Sequence, residues 1–266
     1  MPDAADLPET APTPEPPYVR VIGKAVAALE ILLAEDREMT LSELARQLDM
    51  SRSTVHRLLA TLERHRLVDR SEAGTYQLGL GLFRLGSAVR VNTVLGRVAL
   101  PELEALAERL NLTSYLSVRD RDRALCVVRV DRGPVMATVY QVGDTLPLHV
   151  GAGPRILLAA LPDADVARIA ATGADLPTDP AADPPGTPAS IRTLADEIRR
   201  TGVAFAPDDV QAGLAAMGVP VRDGSGVVVA ALSVVALTDW FGDGHRAAIQ
   251  AALCEAAIRI EARLSG

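Results

Sequence analysis

Residues Thr40–Arg66, TLSELARQLDMSRSTVHRLLATLERHR, decide how the first part of this chain folds. Thr40 is placed to N-cap a helix, and Glu43 three residues on completes a capping box. Leu41, Leu44, Ala45 and Leu48 then recur at helical spacing and mark a buried face. Asp49-Met50 breaks the period, and Ser51 offers a second N-cap. From there Val55, Leu58, Leu59 and Leu62 fall at i, i+3, i+4 and i+7, a second apolar stripe. Left outward on the second helix are Arg52, Ser53, Thr54, His56, Arg57 and Thr61. Two short helices about a tight connection read as a helix-turn-helix. A basic, hydroxyl-rich first turn at the positive end of a helix dipole suits the phosphates and base edges of double-stranded DNA. The plainer reading is a polar face that serves solubility alone. It leaves the capping, the following hairpin and the local arginines unexplained as a set.

On either side the pattern continues. Val21, Ala25, Ala28, Leu29, Leu32 and Leu33 predict an amphipathic helix over 21–34, with Lys24 on its polar side. Downstream, LVDRSEAGTYQL reads as a hairpin, with strands at 67–70 and 75–78 and a turn at Ser71–Gly74. Three helices and a hairpin make the winged form. Arg70 is the wing residue placed to meet a sugar-phosphate backbone, while Glu72 at the turn opposes close approach.

At 266 residues and 48% hydrophobic, the chain is long enough for two modest cores. A net charge of −7 excludes a uniformly basic surface. It does not exclude DNA binding, because Arg52, Arg57, Arg64, Arg66 and Arg70 cluster against only Glu63 and Asp69. Cys126 and Cys254 lie in apolar surroundings without short spacing, which fits a reduced, cytoplasmic chain. No apolar run reaches the roughly 18–20 residues of a membrane span. Residues 1–17 are acidic and proline-rich with almost nothing to bury, so they read as a disordered tail rather than a signal peptide.

The rest of the chain changes character. Leu80, Phe83, Leu85 and Val89 suggest a connecting helix (81–98) that opens with glycines, and Pro101 is placed to start another running to Leu110. Beyond Asn111 the period becomes two. Strands are expected at 113–118, 125–130 and 137–141, with RDRDR (119–123) as a solvated turn. A glycine-rich loop enters an apolar helix between Gln141 and Leu161, and a short helix follows at 163–171. A proline-rich surface loop covers 176–189, and a helix over 191–201 ends at Gly202. Strands at 203–206, 217–221 and 227–235 precede a last helix, Gly244 to Leu264, with Asp243 as its cap. The organisation is therefore α+β: a tail (1–17), a winged helix-turn-helix (18–80), a connecting helix (81–98) and a second domain (99–266).

Three further groups invite chemistry. Gly151-Ala152-Gly153 fails the dinucleotide fingerprint, because Ile156 stands at the third glycine position and no acidic ribose partner follows. Two readings stay open: a small ligand, favourably anionic, approaching a helix N-terminus, or a tight turn against a sheet. Arg155 and Asp208-Asp209 can either hold opposite ends of a small polar metabolite or pair with each other. With 3% aromatic residues, an aromatic effector finds few partners, which points to a small organic acid or amino-acid-like molecule. Finally, Cys126, His149 and an aspartate contain the parts of a nucleophilic set. Cys126 nevertheless sits in a strand pattern, and the four histidines show no metal-ligand spacing. Neither an enzyme nor a bound cofactor or metal is expected.

From Val21 to Leu264 the sequence resembles the IclR-type bacterial transcription regulators. The resemblance is carried by GKAVAALEILL, LSELARQLDMSRSTVHRLLATLERHRLVDR and YQLG in the N-terminal half. In the C-terminal half it rests on LPLHVGAGPRILLA, GVAFAPDDVQAG and VPVRDGSGVVVAALSV. It implies a winged helix-turn-helix joined to a GAF-like effector-binding domain with a mixed sheet, in homodimers or homotetramers made partly through the connecting helix. Ser51, Arg52, Ser53, Thr54, His56 and Arg57 match the family's major-groove helix, with proline and lysine common where this chain has Ser51 and Arg52. The implied effector pocket draws on Leu146, Leu148, Val150, Gly151, Ala152, Gly153 and Arg155, on Asp208, Asp209, Leu214, Ala216 and Met217, and on Ser233 and Val235. This chain departs from the family at Pro154-Arg155-Ile156, where Gly-Lys-Ala is common. Proline removes a donor there, and arginine substitutes a planar fork for a point charge. The expected function is an operator-binding regulator answering to a small molecule. The alternative is a sensor that acts without touching DNA.

Overall fold

The computed structural model describes residues 19–35, 37–87, 94–133, 140–172, 188–242 and 244–265. The expected tail, Val89 of the connecting helix, most of the strand at 137–141, most of the proline-rich loop and the Asp243 cap lie outside these residues. The chain divides into two units, Met1–Val89 and Arg90–Gly266.

In the first unit, α1 (Arg20–Glu35) precedes α2 (Leu41–Leu48) and α3 (Arg52–Arg64). Both halves of the Thr40–Glu43 capping box are formed. Asp49 ends α2 in the left-handed region at φ 51°, which makes the tight connection, and Ser51 caps α3. An eight-residue helix is unstable alone. What holds α2 is packing: Leu44 and Leu48 close on Val55, Leu58, Leu59 and Leu62 of α3 and on Ala28 and Leu32 of α1. Each such leucine contributes about 1.5–3 kcal/mol on burial.

The hairpin follows as β1 (Val68–Arg70) and β2 (Tyr76–Leu78), antiparallel with Val68 opposite Leu78. Met39 adds an unexpected third arm, exchanging both backbone hydrogen bonds with Tyr76. The helix α4 (Leu80–Ser87) then begins against the backbone of Arg66. A Cβ at Gly79 or Gly81 would lie 2.4 Å from the Arg66 carbonyl oxygen, which also accepts the Gly81 N–H at 2.7 Å. That close approach is why glycines open this helix.

The second unit starts with α5 (Leu95–Leu110). Pro101 lies inside it rather than at its start, which corrects the sequence expectation. The ring removes one helical hydrogen bond, but Ala99 before it and Leu103, Leu106 and Ala107 after it are buried in one core, so packing carries the helix through.

The sheet runs β5-β4-β3-β8-β7-β6, built from β3 (Thr113–Asp120), β4 (Arg123–Val130), β5 (Thr145–Pro147), β6 (Ala204–Pro207), β7 (Leu214–Arg222) and β8 (Val228–Leu237). Every neighbouring pair is antiparallel, not mixed as the resemblance implied. Short connections between β3 and β4, β6 and β7, and β7 and β8 each reverse the chain. The expected RDRDR turn shrinks to Arg121-Asp122, because Asp120 already pairs with Arg123. The short β5 was not anticipated.

One sheet face, carrying Leu116, Met217, Val219, Leu232 and Val234, packs under α5 and α9 (His245–Leu264). Buried Glu102 ties those helices together through Arg259 (2.5 Å) and Arg263 (2.9 Å). The other face lies under α6 (Ala152–Ala159), every residue of which is buried, with α7 (Asp163–Thr172) and α8 (Pro188–Thr201) packed around it. Among the described residues no helix is long and apolar enough to cross a membrane.

Candidate functional site

In the first unit, α3 buries Val55, Leu58, Leu59 and Leu62 and leaves Arg52, Ser53, Thr54, His56, Arg57 and Thr61 exposed. The Ser51 hydroxyl accepts the Thr54 N–H at 3.3 Å and lies 3.1 Å from Ser53 Oγ and 2.8 Å from Thr54 Oγ1. Ser51 therefore works first as the cap. Thr61 Oγ1 donates to the Arg57 carbonyl at 2.9 Å and is turned onto its own helix. Arg52, His56 and Arg57 make no hydrogen bond or ion pair among the described residues, so their donors are uncommitted. Arg70 at the wing lies over the Tyr76 ring, 5.7 Å from its centroid, a stacking that steadies the guanidinium while leaving it exposed. Lys24 belongs elsewhere: its ammonium donates to the Leu48 carbonyl at 2.6 Å and closes the C-terminal end of α2.

In the second unit a cavity opens between the start of α6, the sheet face beneath it and the loop from β6 to β7. With its open mouth it encloses about 560 Å³, within the range of small-molecule sites. Leu146, Gly151, Ala152, Gly153, Asp209, Leu214, Ala216, Ser233 and Val235, all named from sequence, line it. Period two explains the sheet part, since Tyr115, Ala216, Ser233 and Val235 stand on the face opposite Leu116, Met217, Leu232 and Val234. The close seating of α6 shows in its glycine. A Cβ at Gly153 would lie 3.2 Å from Ser233 Oγ.

Five sequence candidates fall elsewhere. Met217 points to the opposite core, because consecutive strand residues cannot share a face. Leu148 is in the core with α6, and Val150 is buried away from the cavity. Asp208 closes its own loop, accepting the Gly213 N–H at 2.6 Å. Arg155 lies behind the cavity wall, 5% exposed, with its guanidinium 2.6 Å from Asp209. Its Nε and Nη1 donate to the carbonyls of His149 (2.9 Å) and Phe205 (3.2 Å). Burial lowers the Arg155 pKa while Asp209 opposes the shift; the ordinary value is high enough that the group stays charged. Of the two open readings of Arg155 and the aspartates, mutual pairing is the one formed.

Sequence reasoning missed Tyr115, Tyr140, Pro154, Ala206, Val210 and Gln211 in the lining. The tyrosine rings stand 5.7 Å apart, tilted by 32°. A low aromatic content had argued against an aromatic ligand, yet two of the four tyrosines converge here. Tyr140 donates to the Ala124 carbonyl (3.2 Å) and sits 3.3 Å from Ser117 Oγ. Burial pushes the Tyr115 phenol up to about 12, so both rings are neutral at physiological pH.

The nucleophilic set does not assemble. Cys126 is buried beside the tyrosines, and that burial pushes its thiol up to about 12. A thiol so far from ionisation is no nucleophile. His149 is 1% exposed, and neither ring nitrogen has a hydrogen-bond partner. Burial, with Arg155 nearby, lowers its pKa and favours the uncharged ring.

Against known proteins, residues 21–72 match the IclR helix-turn-helix domain, and residues 88–262 match the bacterial transcriptional regulator IclR C-terminal domain. The chain is 32% identical over 254 residues to the HTH-type transcriptional regulator Rv1719 of Mycobacterium tuberculosis, covering 93% of each. It is 29% identical over 251 residues to the HTH-type regulator KdgR of Escherichia coli, covering 94% of each. Among solved structures, an IclR homolog from Microbacterium hydrocarbonoxydans complexed with 4-hydroxybenzoate superposes with a TM-score of 0.80 at 25% identity, over 92% of this chain and 98% of that one. An IclR regulator from Alicyclobacillus acidocaldarius gives 0.79 at 26%, over 93% and 100%. The relatives are named as regulators, not enzymes. With both halves matched in order, this chain belongs to the IclR family of transcription regulators, a helix-turn-helix domain followed by an effector-binding domain.

Proposed function

We propose that this protein binds a near-palindromic operator as a homodimer or homotetramer, and that a small molecule in the cavity of the second unit sets its affinity for DNA. The carrying observation is the exposed first half of α3, where Arg52, His56 and Arg57 are held by a capped helix yet have no partner among the described residues. Arginine forks of this kind suit guanine O6 and N7, and the neighbouring hydroxyls suit bases or phosphate. Assembly is supported by apolar side chains that the single chain leaves uncovered: Val21, Ile22 and Val26 on α1, and Leu80, Phe83 and Leu85 on α4. Two such chains would present two recognition helices to successive major grooves. The 4-hydroxybenzoate held by the Microbacterium relative and the tyrosine-walled cavity here support a ligand of about one ring. The ligand shifts DNA affinity only if it binds two arrangements of the protein unequally.

Footprinting on the DNA upstream of its own gene tests this reading. Two protected half-sites about one helical turn apart are expected, and Arg57→Ala should abolish protection while ligand binding survives. Ligand binding with no protected DNA would instead favour a sensor that acts without an operator.

A further inference from the structure

Charge decides which class of molecule the cavity admits. The N-terminus of α6, where an acidic ligand would dock, already holds a carboxylate. Asp209 accepts the Gly151 N–H at 2.8 Å and lies within 2.6 Å of Arg155 Nη2. Pro154 has no N–H, and the Arg155 amide closes on the Gly151 carbonyl at 3.1 Å, so only the amides of Ala152 and Gly153 remain in that turn. The cation is committed too: Arg155 spends its donors on Asp209, His149 and Phe205 and does not line the cavity. No Lys, Arg or His lines it among the described residues, and the nearby segment 134–139, PVMATV, carries no charge.

Two neutral hydroxyls are uncommitted. Ser233, 6% exposed, and Tyr115, 2% exposed, both line the cavity, and neither hydroxyl makes a hydrogen bond among the described residues. We infer that the cavity selects an uncharged ring compound bearing a hydrogen-bonding group, and that Asp209 is a built-in anion that excludes carboxylates. This rests on the reading of the cavity as the effector site. A carboxylate entering here would meet a like charge in a low-dielectric wall with no free cation to offset it. A neutral ligand can use the Ser233 and Tyr115 hydroxyls while its ring lies against the tyrosines.

The test is calorimetric titration of the full chain at neutral pH with 4-hydroxybenzamide and 4-hydroxybenzoate, which share a shape and differ in charge. The amide is expected to bind at least about tenfold more tightly, since like-charge juxtaposition is costly. Ser233→Ala should weaken amide binding severalfold, and Asp209→Asn should narrow or reverse the preference by releasing Arg155. Benzoate binding as tightly as the amide, with both lost in the cavity-filling Ala216→Phe, would overturn the charge exclusion alone. Binding of neither, or amide binding untouched by Ala216→Phe, would overturn the effector-site reading and the inference with it. Should Asp209→Asn fail to melt cooperatively, the comparison on the unaltered chain still decides.

Discussion

The recognition helix and the cavity present polar side chains to a ligand by opposite means. On α3 the groups are near neighbours in sequence, exposed, and free of partners. Around the cavity they come from β3, α6, β7, β8 and the loop at Asp209, and the strongest charges there are already paired with each other. The first surface attracts a polyanion through uncommitted cations. The second has neutralised its own ion pair and offers hydroxyls and rings. One chain thus carries an electrostatic output and a nearly neutral input.

That contrast is open to attack by substitution. The largest effect is expected from Asp209→Ala, which leaves the Arg155 guanidinium buried without a counter-charge. Breaking a buried pair in this way costs roughly 3–5 kcal/mol, measurable as a lowered urea midpoint for the second unit. Arg37→Ala in the first unit breaks the exposed contacts to Glu35 and Glu43, both at 3.1 Å. A change of about 1 kcal/mol or less is expected there. Equal losses from the two substitutions would erase the distinction between a committed and an uncommitted charge.

A smaller effect sharpens the other side. Ser51→Ala removes the cap of α3 and should cost about 1 kcal/mol in the first unit. DNA affinity should fall with it and the melting of the second unit should not move. If DNA affinity held while stability dropped, the cap would not be positioning the contact residues.

The same contrast explains what the sequence made legible. In Thr40–Arg66 the caps, the 3.6 period and the polar face are all local, so α2, α3 and the exposed set were readable from consecutive residues. Met39 was not, because a single bridging residue leaves no periodic trace. Pro101 misled because the rule for proline is local, whereas the core around Ala99 and Leu103 is not. For the cavity, naming whole segments swept in Met217 beside Ala216 and Leu148 beside Leu146. Strict alternation along β7 would have excluded Met217. Tyr115 carried a usable signal, since it shares parity with Ser117 on β3. Composition hid it: 3% aromatic content says nothing about where the few rings meet. Arg155 and Asp209 are separated by 54 residues, and only the fold shows that they neutralise each other.

The central claim is that α3 and the wing bind DNA through their free cations, and salt tests it most directly. Fluorescence anisotropy on the protected upstream fragment should show affinity falling by on the order of 10³–10⁵ between about 50 and 200 mM salt for roughly 6–10 phosphate contacts. A flat salt response on the same fragment would contradict the claim.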